Sequence, residues 1–595
     1  MRLINIEAFL EREEGMGEGG RVDRRSKVLD FCDDETTTYA ILSHRWNDPT
    51  EVDYDEMVDL AKMGQQERDE IRGRLGYEKI WGACRQAKRD GYQWLWADTC
   101  CIDKRSSAEL SEAINSMYRW YRNAQVCYAY LHDVADTSFP TEPNTRRYCD
   151  SNGWPEWFSR GWTLQEMIAP RDVQFFGKDW QHIGDKKTLT RTLKQITGVP
   201  DHILKGGLSG TRPCVAQIIS WAANRITTRL EDRAYSLMGL LDVNMPMLYG
   251  EGKKAFHRLQ LEIIRTSNDR SIFAWGCKGG NVQTGSILAD DPSFFGTCSN
   301  MVLMDHTQYI ESLNRRIPAE ELPLIDEDYL GTFPITNRGI QIWMLLHPYR
   351  NSNSLFKAYL PCHSGTMVTI DLALWDSNYY RYSSVSQEPL QGPLQFRQVY
   401  LRYQDTYHDV TFDIDDSAMS KDGFTCRDVY PWQLTGRTPT LTGASPLSTR
   451  VYSNKNDNLR FMVAFGQCFD QGWVHAAVSN LTGGLSRFYK QELVKGPEHA
   501  RFMAEAPPRG ECHGRVWVNH IRLPGSTWIV RISRVMWERS RIGVRIEAFD
   551  LPFRIFNISL DQWKILDVEV GVSFVVHVLL LYVVIYRVSM IPVMT

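Results

Sequence analysis

Short apolar runs and longer amphipathic stretches alternate through the first third of this chain. "YAIL" (39–42) reads as a buried strand. "YEKIWGACRQAKRDG" follows, with Tyr77, Ile80, Cys84 and Ala87 on one helical face and Gly91 placed to cap its end. "WLWAD" is a second strand, and Ser106 with Glu109 has the spacing of a capping box that opens the next helix. Leu110, Ile114, Met117, Tyr118 and Tyr121 form the buried stripe of that helix. "VCYAYL" (126–131) and "VQFF" (173–176) supply two more strands, with the short helix "WTLQEMIA" between them, stopped by Pro170. Alternation of strand and helix in this manner predicts a parallel sheet covered by helices.

Beyond residue 180 the pattern changes twice. Residues 181–275 show helical spacing, as in "AQIISWAANRITT" and "KKAFHRLQLEIIRTS". "LYGEGKKAF" lacks the spacing of a phosphate-binding loop and reads as a turn before a helix. Residues 276–335 have few periodic apolar runs and read as a linker region. Residues 336–562 hold short segments of partial period-two alternation, such as "GTMVTIDLALW" and "GVRIEAFDL", which predict a β-rich domain, a sandwich or a barrel. Residues 1–30 read as a surface lead-in, and residues 31–180 as the α/β domain.

The last segment, 563–595, is a hydrophobic tail whose core "VGVSFVVHVLLLYVVIY" spans 570–586. As a helix it would be about 25 Å long, short of a roughly 30 Å hydrocarbon core. It reads either as a C-terminal membrane anchor or as Val-rich strands buried in the β domain. His577 interrupts the run and favours the second.

Composition narrows the function classes. The 595 residues are 43% hydrophobic and 24% charged, as in globular proteins, and the formal net charge is −4. No basic excess suggests a nucleic-acid surface. The 13 cysteines are an odd number with no CxxC pair, and the first 20 residues contain no apolar core of signal-peptide length. A reducing, cytoplasmic setting with free thiols is expected, in which the sequons at Asn480 and Asn557 would go unused.

In an open parallel sheet, ligands bind beyond the carboxyl ends of the strands. Three polar clusters fall there: "SHRWND" with Ser43, His44, Arg45 and Trp46; "DTCCIDK" with Asp98 and Asp103; and "SRGWTLQE" with Arg160, Trp162 and Glu166. They are distant in sequence and expected to meet at one edge. A zinc site from Cys100, Cys101, Asp103 and His44 lacks the usual ligand spacing. A Cys100–His44 nucleophile pair lacks a visible orienting group. The expectation is that both cysteines pack in the turn while Asp98 and Asp103 face the pocket. Each polar candidate also has a structural alternative: acids that cap turns, tryptophans that fill the sheet edge, and an arginine that pairs with a nearby acid.

"YAILSHRW", "WLWADTCCIDK", "INSMYRWYRNAQVCYAYL" and "SRGWTLQEMIAP", in that order, resemble the successive blocks of the HET (heterokaryon incompatibility) domain of filamentous fungi. The segment "RLEDRAYSLMGLLDVNMPMLYGEGKKAFHRLQLEII" resembles the helical region that commonly follows it; Lys104 stands where family members often have glutamine. The resemblance implies nonself recognition and programmed cell death after fusion of unlike hyphae, with self-association through the HET domain and an incompatibility partner protein. It also implies a flavodoxin-like sheet remotely similar to TIR domains. On that analogy Glu166 is the catalytic residue for cleaving NAD as substrate. Ser43, His44, Arg45, Trp46, Asp98, Asp103, Arg160 and Trp162 would then line the ligand pocket, with no metal and no bound cofactor. A non-catalytic scaffold with a degenerate HET domain is the remaining alternative.

Overall fold

The computed structural model describes residues 1–550 with interruptions, the longer ones at 18–26, 277–284, 383–388, 479–487 and 500–515. The hydrophobic tail, with its 570–586 core, and both sequons lie outside the described residues. No helix among the described residues is long and apolar enough to cross a membrane.

The α/β region is built on a seven-stranded sheet. Its strands are β1 (Arg2–Asn5), β2 (Leu29–Phe31), β3 (Tyr39–His44), β4 (Trp94–Trp96), β5 (Val126–Tyr130), β6 (Val173–Phe176) and β7 (His182–Asp185), in the spatial order 2-1-4-3-5-6-7. The four central strands are parallel, with Ala40 opposite both Leu95 and Val126, and Tyr130 opposite Phe176. β3 is the centre: all six of its residues are buried, as a strand covered on both faces requires.

The helices form where periodicity places them. Leu75–Arg89 buries Tyr77, Ile80, Ala83, Cys84 and Ala87. Gly91 ends it with φ of +82°, and the Tyr92 N–H returns to the Ala87 carbonyl at 2.9 Å. Only a residue without a Cβ adopts that left-handed cap at little cost. Ser107–Asn123 buries Ile114, Met117 and Tyr121 as expected, with Trp120 added to the stripe. Its capping box is only half formed. Ser106 accepts from the Glu109 N–H, whereas the Glu109 carboxylate accepts from the Asp103 N–H and pairs with Arg2.

Two boundary expectations are corrected. The lead-in is part of the sheet: Ile4 pairs with Leu95, and Leu3 and Ile4 are fully buried. A four-residue strand is too short to show a period, so its pattern carried no signal. The stretch at 276–335 is likewise no simple linker. Ile287, Leu288, Ala289 and Phe295 are fully buried, and Trp275 Nε1 donates to the Ile287 carbonyl at 2.9 Å. One apolar cluster runs from Leu3 to Leu401.

That cluster includes a six-stranded sheet from the β-rich half. Pairing of Leu355–Ser364 with Thr366–Trp375 closes five of its strands on themselves. Arg381 ties the sheet to the helical region by donating to the carbonyls of Phe273 and Trp275. A second core begins at Val410. There a five-stranded sheet contributes Phe412, Val530, Ile542 and Val544, a four-stranded sheet contributes Tyr452, Phe461 and Phe465, and the two pack as a sandwich.

The position of this break is testable. A fragment of residues 1–335 loses Ile340, Ile342, Leu346, Leu360, Leu372 and Leu401 from a shared core, each worth about 1.5–3 kcal/mol of burial. It should aggregate, while residues 1–403, which keep that core whole but uncover Tyr349, Leu355, Tyr380 and Tyr382 from their contact with residues 447–488, should elute as a folded species in size-exclusion chromatography.

Candidate functional site

The carboxyl ends of β3 and β4 and the short helix Thr163–Ile168 converge on Glu166. The side chain is 4% exposed. Ser43 Oγ donates to Glu166 Oε2 at 2.5 Å and accepts from Trp157 Nε1 at 2.8 Å. β3 places Ser43 because its pleat, once pinned between two parallel neighbours, leaves the last residues no route to water. Burial pushes the Glu166 carboxyl up to about 8, and the negative charge of Asp98 adds to the rise. Ser43, the Arg160 charge and Tyr121 oppose it. Arg225 lies against the same helix, donating to the Arg160 carbonyl at 2.8 Å and to Thr163 Oγ1 at 3.0 Å. Burial pushes its guanidinium down to about 9, with Glu166 acting in the other direction, so it is cationic at neutral pH.

A second buried group of charges adjoins the first. The His44 ring lies between Glu51, 3.4 Å from Nε2, and Asp98, 4.0 Å from Nδ1. Lys79 is 1% exposed. Its ammonium donates to the Arg45 carbonyl at 2.8 Å and to Glu51. Burial pushes the Lys79 ammonium down, against the pull of Glu51. Burial alone would raise the Glu51 carboxyl, but His44 and Lys79 outweigh it and hold the group well below the ordinary range. Trp46 Nε1 donates to Asp98 Oδ2 at 2.9 Å, and the Lys104 ammonium sits 3.9 Å from the Trp46 ring centre. Asp98 thus touches both groups.

Ser43, His44, Trp46, Asp98 and Glu166 therefore come together, with the Arg160 charge felt by Glu166. The other three sequence candidates are engaged elsewhere. Arg45 forms an ion pair with Glu156, which also lies 3.7 Å from His132. Trp162 lies beside Asp232 and acts on its carboxyl. Asp103 does not face the pocket: it accepts from the Arg105 backbone at 3.1 Å and from its guanidinium at 3.0 and 3.2 Å. This is the turn-capping role that an Asp two residues before a donor readily takes. The cysteines pack: Cys100 is fully buried, Cys101 is 2% exposed and accepts from the Ala97 N–H at 3.5 Å. Contact with Cys101 and burial push the Cys100 thiol up, away from a nucleophile's range.

Glu51, Lys79, Trp157 and Arg225 escaped the sequence reading. Lys79 had one visible signal: it lies beside Ile80 on the apolar side of its helix. Arg225 had none, since it stands 59 residues beyond Glu166 with no motif around it.

Comparison with known proteins decides what this sheet is. Residues 39–154 match the family described as heterokaryon incompatibility protein (HET). The chain carries a HET domain. The vegetative incompatibility protein HET-E-1 of Podospora anserina is 46% identical over 232 residues, which are 38% of this chain. The chain spans 16% of that relative's length. Two structures of the lectin XCL from Xerocomus chrysenteron, one wild-type and one mutated, each cover 24% of this chain and 97–99% of the lectin. Their identities are 10% and 11% and their TM-scores 0.18 and 0.19, too low to assign a fold. Glu166 and Arg225 both lie past the matched HET residues.

Two outcomes follow for the buried charges of the α/β region. The Glu166 carboxyl sits at about 8 against an ordinary 4.5. Its contribution to stability is therefore fully present below pH 4.5 and is lost as pH rises through 8. Glu166→Gln removes that loss, so its melting temperature should gain on wild type from pH 5 to about pH 8 and then level off. Lys79→Met leaves Glu51 buried with one partner fewer, and urea unfolding should show a loss of about 3 kcal/mol.

Proposed function

We propose that this chain acts in fungal heterokaryon (vegetative) incompatibility, its HET domain triggering cell death when unlike hyphae fuse. The 46% identity to a vegetative incompatibility protein, over a stretch twice as long as the family match, carries this reading. The setting is the cytoplasm, in keeping with the absence of disulfides among the eleven described cysteines. Signalling would pass through self-association of HET domains and an incompatibility partner.

A second reading, NAD cleavage, rests on Glu166. The parallel strands in the order second, first, third, fourth support a reading as a flavodoxin-like, TIR-like sheet, in which the carboxylate would stand at the ligand-bearing edge. A cationic nicotinamide–ribosyl group beside it would favour the ionised carboxylate, and the oxocarbenium-like state on the way to cleavage would do so more strongly. Arg160 could hold a phosphate and Trp46 could stack on a base. The 4% exposure of Glu166 means that such a substrate enters only after the edge opens.

Inducible expression of the full chain in a fungal host, with viability and NAD followed together, tests both. Wild type should kill. If cleavage is the mechanism, NAD falls first, and Glu166→Gln slows its loss at least about a hundredfold while restoring growth. Killing at constant NAD assigns the HET domain a non-catalytic signalling role. Full viability, with the protein expressed and folded, overturns the incompatibility reading.

A further inference from the structure

The β-rich half holds a cluster that no sequence motif announced. His475 lies on the strand Gln471–Ala477, in register with Ala464 of the neighbouring strand. Glu492 and His499 come from the segment that follows. Glu492 is 2% exposed. Its Oε2 lies 2.7 Å from His475 Nδ1 and 3.0 Å from His499 Nε2. The three ligand atoms all lie within 4.8 Å of one another.

Hydrogen bonding alone accounts poorly for this arrangement. The two imidazoles are stacked, with ring centres 4.4 Å apart and planes 23° from parallel. Trp473 covers the His499 ring, centres 4.8 Å apart. His475 meets the carboxylate in a hydrogen bond, but His499 Nε2, at 3.0 Å, is off the line of one and is left buried without a hydrogen bond. A buried ring nitrogen in that position costs about 1–3 kcal/mol if nothing fills it. Protonating both stacked rings would place two cations against one anion. Two neutral imidazoles and a carboxylate gathered within 4.8 Å are instead the donor set of a first-row divalent ion.

We propose that His475, Glu492 and His499 bind a Zn²⁺ ion, with a fourth position left for water or an incoming ligand. Four-coordinate zinc accepts this His₂Glu set at about 2.0–2.2 Å per ligand. Ligand atoms around such an ion stand about 3.3–3.5 Å apart, so Glu492 Oε2, 2.7 and 3.0 Å from the two ring nitrogens, draws back by less than about 1 Å to admit it. His475 and His499 side chains are 31% and 18% exposed, so the ion has an entry path. The ion would fasten the segment bearing Glu492 and His499 to the edge of the four-stranded sheet, because the energy of metal binding becomes folding energy.

The test uses the full chain, stripped with chelator and dialysed, then titrated with Zn²⁺ by calorimetry and checked by elemental analysis. One equivalent is expected, with a rise in melting temperature. His475→Ala and His499→Ala should each weaken binding at least about tenfold, and Cys100→Ala/Cys101→Ala should leave it unchanged. Should the histidine variants fail to fold, Co²⁺ bound to wild type decides: a visible spectrum without a thiolate charge-transfer band supports the site. No bound metal, zinc retained by both histidine variants, zinc lost only in the double cysteine variant, or a thiolate band would each overturn the proposal.

Discussion

A charge that cannot reach water must be answered by another group, and this constraint shapes the α/β region around β3. The strand is buried along its whole length and ends in Ser43 and His44 with no exposed residue between them and the core. Every polar atom brought there needs a partner from the protein. Trp157 answers Ser43, Ser43 answers Glu166, Glu51 and Asp98 flank His44, and Lys79 answers Glu51. The partners come from five separate stretches of chain, so these charges hold together the ends of elements that apolar contacts alone would leave free to slide. Interactions of this kind add little net stability but discriminate strongly against wrong arrangements, because each mispairing strands a charge.

The parallel strands were legible because both faces are covered and each reads as an apolar run. The helices were legible because one face is covered and each reads at a period of 3.6. β1 was not legible, since four residues hold no period, and it earns its place only by the chance to cover the open edge of β4. The convergence of Ser43, His44, Trp46, Asp98 and Glu166 was legible from topology, because carboxyl ends of parallel strands share one edge. Which way each acid turned was not. Asp103 is held by Arg105 two residues away, and short-range pairing of that kind looks the same in sequence as an acid facing a pocket. Lys79 and Arg225 were hidden for a different reason: long cations are usually solvated, and only the finished fold shows which are enclosed.

The two largest hydrophobic cores divide the chain differently from its composition. Glycine and aspartate at 276–335 suggested a connection between units, yet Ile287 and Phe295 lie inside the first core, and the closed sheet of residues 340–401 shares it. Composition registers the exposed side of a loop, whereas its few buried residues decide to which body it belongs. The sandwich beyond Val410 has its own apolar interior, but a further cluster packs its Leu447, Met462 and Trp473 against Tyr349, Leu355 and Tyr380 of the closed sheet, so the two are expected to unfold as coupled units.

Arg225 also bears on how such proteins diversify. Its guanidinium reaches back from the helical region to the Arg160 carbonyl and Thr163, beside the acid of the HET domain. The segment recognisable by family resemblance, 39–154, is therefore smaller than the piece that can travel between genes as a working part. Recombination that kept the chain as far as Glu166 but joined it to a foreign downstream sequence would remove the neighbouring cation of that buried acid. Viable shufflings should carry the helical region along with it, so inheritance is set by electrostatic closure rather than by the edge of the recognisable motif.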